Sequence, residues 1–154
     1  MAIKYWLVKS EPNAYSIDDL ARDKITHWDG VRNYQARNFM RDEMKIGDKV
    51  LFYHSNTETP AVVGVCEVVK EGYPDFTAFD PEDKHYDPKS KLDQPTWIMV
   101  DIKIVDKLAR PVTLEEIKNN PKLQNMKLVQ RGNRLSVMPI DKKEFDEIIK
   151  LCKK

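Results

Sequence analysis

Trp28, Asp29, Gly30, Val31, Arg32 and Asn33 lead directly into Tyr34, Gln35, Ala36 and Arg37, and together they carry the chemistry of a small-ligand clamp. An indole offers a flat apolar face and an N–H donor. Gly30 lets the backbone turn and lets a ligand come close. Asn33 suits the N-cap of the helix that follows, and the free N–H groups at a helix start attract anions. Arg37 and Arg41 fall at i, i+4 on one face of that helix. The competing reading of the same residues is a buried tryptophan beneath a capped surface helix.

Other chemistries find less support in the chain. His27, His54 and His85 lack metal-ligand spacing with one another or with Cys66 and Cys152. Five glycines build no phosphate loop and no dinucleotide fingerprint. His54 and Ser55 suggest a base and a nucleophile, but neighbours on a strand point to opposite faces. The aspartates between residues 75 and 93 lack the spacing of a calcium loop, so a solvated acidic loop is expected there. The expectation is therefore no catalytic set, no metal and no cofactor.

The elements that position these residues follow from patterning. Tyr5-Trp6-Leu7-Val8 reads as a first strand, stopped by Pro12. Ser16 and Asp19 resemble a capping box and start a short helix through Arg22. A second helix is expected over 34–44. Lys49 to His54 reads as a strand, and 61–69 as a strand buried on both faces. Gly64 within it signals a bulge or a close approach. The segment 72–95, rich in Pro and Asp, reads as a long loop packed by Tyr73, Phe76, Phe79 and Tyr86. Ile98, Val100, Ile102 and Ile104 alternate as a half-buried strand. Thr113 with Glu116 and Asp141 with Glu144 cap two further helices, and 135–140 is a last strand. Strands that do not alternate with long helices argue for α+β, a small, partly closed mixed β-barrel of five or six strands flanked by helices, over a doubly wound sheet.

Composition frames the function. The chain has 154 residues, 33% charged and 41% hydrophobic, and a net charge of +1, as in an ordinary one-domain globular protein. Residues 110–154 hold 11 Lys and Arg against 6 Asp and Glu, a local excess that permits contact with a phosphate backbone but reads first as solvated lysines. Near-neutral charge argues against strong non-specific nucleic-acid binding. Two cysteines without a CxxC pattern suit a reducing compartment, and no stretch is apolar enough for a membrane span. A cytoplasmic protein is expected, or a nuclear one in a eukaryotic source.

In a small barrel the strand ends converge on one rim. That rim would gather Lys9 and Ser10, the Trp28–Asn33 loop, Tyr53, His54 and Ser55, and Trp97. Two tryptophans, a tyrosine and short polar groups make a pocket for a planar polar ligand, with stacking worth roughly 1–3 kcal/mol per base.

The motifs Lys9-Ser10-Glu11-Pro12, Trp28 through Arg37, Phe52-Tyr53-His54-Ser55-Asn56, Tyr86-Asp87-Pro88-Lys89-Ser90 and Arg134-Leu135-Ser136-Val137 stand in this order over residues 4–151. Together they resemble the EVE domain, found in stand-alone bacterial proteins and in the thymocyte nuclear protein 1 family. The resemblance implies a PUA-like fold, distantly similar to the YTH domains, and a reader of modified bases, with methylated or oxidised cytosine in DNA the leading candidate. The YTH likeness implies that Trp28 is one wall of an aromatic cage, a role it carries to Trp28 alone; Trp97 begins a strand near a second cage region, and Tyr53 is a candidate by its proximity to the motif.

The resulting expectation is a non-catalytic module that binds a modified base in DNA or RNA with weak to moderate affinity. Lys9, Ser10, Trp28, Asp29, Gly30, Val31, Asn33, Tyr53, His54, Ser55 and Trp97 would line the pocket. Arg32, Arg37, Arg41, Arg131 and Arg134 would form a basic rim on the nucleic-acid backbone, unless Arg32 pairs with a carboxylate such as Asp29. The alternative is an enzyme or adaptor acting on a nucleotide-like small molecule in the same pocket.

Overall fold

Runs of β-branched and aromatic residues build six strands in the computed structural model, which describes residues 3–133 and 135–153. They are β1 (Tyr5–Ser10), β2 (Ile25–His27), β3 (Lys49–His54), β4 (Ala61–Pro74), β5 (Ile98–Thr113) and β6 (Val137–Ile140). Between them lie α1 (Ile17–Asp23), α2 (Tyr34–Asp42), α3 (Leu114–Lys118) and α4 (Lys142–Leu151). The sheet runs in the order β2-β5-β4-β3-β1-β6, with β1 parallel to β3 and every other pairing antiparallel. The α+β class holds, but the sheet is not closed into a barrel. Among the described residues nothing pairs β2 with β6, and β2 offers only three residues for closure. The sheet instead bends through the register shifts along β4 and β5, because bulges sharpen local twist.

The sequence marked the helix starts. Ser16 accepts from the Asp19 N–H while the Asp19 carboxylate accepts from the Ser16 N–H. Thr113 and Glu116 repeat the arrangement, Asn33 accepts from the Ala36 N–H, and Glu144 accepts from the Asp141 N–H. β2 was not foreseen: three residues, two of them exposed, carry too little alternation to read as a strand. β4 also runs on to Pro74, past the expected end near Val69.

Neighbours on β1 show how the layers stack. Trp6 packs on Phe39 of α2 at 5.6 Å, and Tyr5 packs on Phe145 of α4 at 4.9 Å. Adjacent strand residues face opposite ways, so α2 and α4 cover opposite faces of the sheet. A buried carboxylate locks one corner: Asp48 accepts from the Trp6 indole N–H at 2.9 Å and from the backbone N–H groups of Lys4 and Lys45. At Gly64 both readings of the glycine apply. The β3–β4 register shifts beside it, and a Cβ there would lie 2.3 Å from Cδ1 of buried Ile17.

The segment after β4 is not a solvated acidic loop. Asp75 is fully buried and caps a short 3-10 turn (Phe76–Phe79). Its Oδ2 accepts from the Gly30 N–H at 2.8 Å and from Arg32 Nη1 at 3.0 Å, while Oδ1 accepts from the Thr77 N–H and hydroxyl. Asp80, Asp83 and Asp87 each accept from the N–H two residues on, so they make turns rather than bind ions. Asp87 also accepts from the Trp97 indole N–H at 2.7 Å. Trp97 stacks on Tyr34 at 5.0 Å, beneath the Arg32 guanidinium at 5.3 Å, and Arg37 stands over Tyr34 at 5.1 Å. These contacts sew residues 75–97 onto the Trp28 loop and α2.

Two outcomes test this framework. Gly64→Val should cost about 2 kcal/mol by overpacking against Ile17, and pairing it with Ile17→Ala should recover part of the loss; additive losses in chemical denaturation would show that the contact is not the cause. Burial pushes the Asp75 carboxyl upward, but the bonds from Thr77, Gly30 and Arg32 outweigh it and hold the group below its ordinary value. Its stabilisation is therefore complete above the unfolded carboxyl value of about 3.9 and is lost as pH falls through the lower folded value. Asp75→Asn should cost about 3 kcal/mol at neutral pH, with the difference from the parent protein shrinking in acid. A difference that stays constant down to acid unfolding would contradict the assignment.

Candidate functional site

β2 delivers the site loop. Beyond its last residue the Trp28 N–H still donates to Val100 O at 2.7 Å, which seats the indole over Phe52, edge to face at 5.5 Å. The chain then turns at Gly30, whose φ of +77° suits glycine. A Cβ there would also come within 2.5 Å of the His85 ring, so the glycine lets the 82–85 segment close down. Arg32 holds that segment by donating from Nε and Nη2 to His85 O, at 3.1 and 2.7 Å.

The result is a cleft of about 800 Å³. One wall is the end of β1 and the turn after it, the floor is residues 26–32, and the other wall is residues 82–85. Lys9, Ser10, Trp28, Asp29, Gly30 and Val31 all line it, as the sequence suggested, and Arg32 joins them. Another concavity, about 630 Å³, lies between Tyr5, Pro139 and Lys142 and holds none of the candidate residues.

Polar groups in the cleft divide into spent and unspent. Ser10 Oγ donates to Tyr15 O at 2.7 Å. The Lys9 ammonium has no acceptor among the described residues, and burial holds it below the ordinary lysine value. The Asp29 carboxylate likewise has no hydrogen bond or ion pair among them. A half-buried cation and a free carboxylate beside one aromatic can hold a ligand that carries both an acceptor and a donor.

The remaining candidates lie outside the cleft lining. Asn33 spends its side-chain oxygen on the Ala36 N–H. Tyr53 is buried in the core at the β3–β4 bulge, where burial pushes its phenol up to about 12. His54 Nε2 accepts from the Ile17 N–H at 3.1 Å and so caps the start of α1, turned away from the role of a base for Ser55. Burial lowers its imidazole below the ordinary value. Ser55 donates its backbone N–H to Ser10 O. Trp97 is 6% exposed and is committed to Asp87 and Tyr34.

The basic rim changes as well. Arg32 pairs with Asp75, not Asp29, and its donors also serve Val31 O, Thr77 and His85, so it braces the site and is not free for a phosphate. Arg37 donates to Thr96 O, and Arg41 pairs with Asp42 on the surface. Arg131 is exposed, and Arg134 lies outside the described residues. Sequence reasoning missed the 82–85 wall. Its signal was the repeated aspartate followed two residues later by a free backbone N–H, at Asp80, Asp83 and Asp87. Among the described residues no three His, Cys, Asp or Glu side chains cluster to hold a metal ion, and no helix is long and apolar enough to cross a membrane.

The same architecture recurs in solved structures. A hypothetical protein from Leishmania major superposes with a TM-score of 0.93 at 50% identity, over 99% of this chain and 96% of that one. Human THYN1, solved in complex with DNA containing 5-methylcytosine, superposes with a TM-score of 0.90 at 43% identity, over 98% of each chain. Mouse thymocyte nuclear protein 1 is 47% identical over 96% of this chain and 73% of that protein. The EVE domain family matches residues 4–151, and the chain belongs to that family.

Proposed function

We propose that this protein is a non-catalytic reader of 5-methylcytosine in DNA, and that the base enters the Trp28 cleft. The observation that carries the reading is that Lys9 and Asp29, whose charged groups have no partner among the described residues, line one cleft with Trp28. Cytosine presents an amino donor next to ring-nitrogen and carbonyl acceptors, which is the complement of that set. Support also comes from the likeness to human THYN1, which was solved with DNA containing 5-methylcytosine. Because Trp28 is only 8% exposed on the cleft floor, a base still stacked in a duplex would not reach it. Recognition therefore takes the base out of the stack, as enzymes acting on bases do.

Affinity for the backbone is modest in this reading, because the net charge is +1 and Arg32 is already paired. Exposed Arg41 and Arg131, with half-buried Arg37, supply the phosphate contacts that remain. RNA carrying the same base would offer the cleft the same edge, so the backbone contacts set the choice between the two. The protein works where nucleic acid is kept, in the cytoplasm of a bacterium or the nucleus of a eukaryotic cell.

Titration of fluorescent duplexes with one 5-methylcytosine, or cytosine at the same place, tests the reading. The methylated duplex should bind more tightly. Lys9→Met should cost that binding about 1.5–3 kcal/mol, the worth of a charged hydrogen bond, with little change in melting temperature. Equal affinity for the two duplexes would remove the reading.

A further inference from the structure

The molecule has three tryptophans, and their indole N–H groups have different fates. Trp6 donates to Asp48 Oδ2 at 2.9 Å, and Trp97 donates to Asp87 Oδ2 at 2.7 Å. Trp28 has no acceptor among the described residues. Every side-chain nitrogen or oxygen there that is shut off from solvent has a partner, so the Trp28 N–H must open onto solvent. The surface that Trp28 lines is the cleft. With 8% of the residue exposed, too little of the indole face is open for a base to stack on it. The indole N–H is therefore part of what Trp28 presents to the cleft.

We infer that Trp28 reads the ligand through its indole N–H, which donates a hydrogen bond to an acceptor atom on the edge of the incoming base, rather than through its aromatic face. The inference rests on the base-reader reading above and adds the contact that fixes the orientation of the base. An N–H at the bottom of a cleft discriminates strongly once the base shuts it off from solvent, because a ligand that brings no acceptor then leaves it unpaired. With Lys9 as a second donor and Asp29 as an acceptor, the cleft then presents a directional donor and acceptor set on three sides.

The indole resonances of the ¹⁵N-labelled protein test this directly, with the Trp28 signal assigned by its loss in Trp28→Phe. In the free protein the Trp28 indole proton should exchange with solvent faster than those of Trp6 and Trp97. On addition of an oligonucleotide with one 5-methylcytosine it should move downfield and become protected, while the two carboxylate-bound indoles stay in place. Trp28→Phe keeps a ring in the core and removes the donor. It should weaken that oligonucleotide about five- to tenfold, the worth of one hydrogen bond, with folding checked by thermal denaturation. Binding that leaves the Trp28 indole resonance unmoved, or that Trp28→Phe does not weaken, overturns the inference while the reader function stands. No binding of the oligonucleotide by the wild-type protein overturns the reader function and this inference with it.

Discussion

The Asp75 carboxylate is the constraint on which the site depends. It is fully buried, and it accepts from Gly30, Arg32 and Thr77, groups belonging to two segments more than forty positions apart. A buried charge is costly to desolvate, and it persists only when its lone pairs are answered by well-placed donors. Here the answer requires the Trp28 loop and the 75–97 segment to adopt one relative placement. The guanidinium of Arg32 extends the constraint by holding His85 O, which fixes the far wall of the cleft. The arginine that the sequence offers as a phosphate contact is thus the brace of the pocket, and its charge is already neutralised.

The other wall comes from strand pairing. β1 lies parallel to β3, with Lys9 beside Tyr53 and Ser10 beside His54. That register brings two motifs more than forty residues apart to the same end of the sheet. Only Lys9 and Ser10 then face the cleft, because His54 is drawn off to cap the start of α1 and Tyr53 points into the core. A parallel pair needs a long crossover, and the crossover here contains α1, β2 and α2. The site loop is therefore part of the connection that makes the parallel pairing achievable, which ties the cleft to the topology of the sheet.

Hydrogen-bond accounting separates structural residues from those left for a ligand. Trp6, Trp97, Asn33 and Ser10 all have partners inside the protein. Lys9, Asp29 and the Trp28 indole do not, among the described residues, and all three converge on one cleft. Their convergence is a stronger pointer to recognition than aromatic content, since buried Trp97 is spent on Tyr34, and Tyr34 in turn lies under Arg37.

Much of this was legible in the chain. The helix caps at Ser16, Asn33, Thr113 and Asp141 are local devices, decided by residues three positions apart, and sequence alone determined them. The meaning of Gly64, the core strands and the order of the family motifs were likewise readable, because periodicity and steric freedom act over short spans. Tertiary structure decided what long-range contacts decide: that β2 forms on the edge of β5, that the sheet stays open, and that Asp75 claims Arg32. It also decided which indole N–H has no acceptor among the described residues. All three have the same chemistry in the sequence, and only the placement of Asp48 and Asp87 beside two of them separates those two from the third.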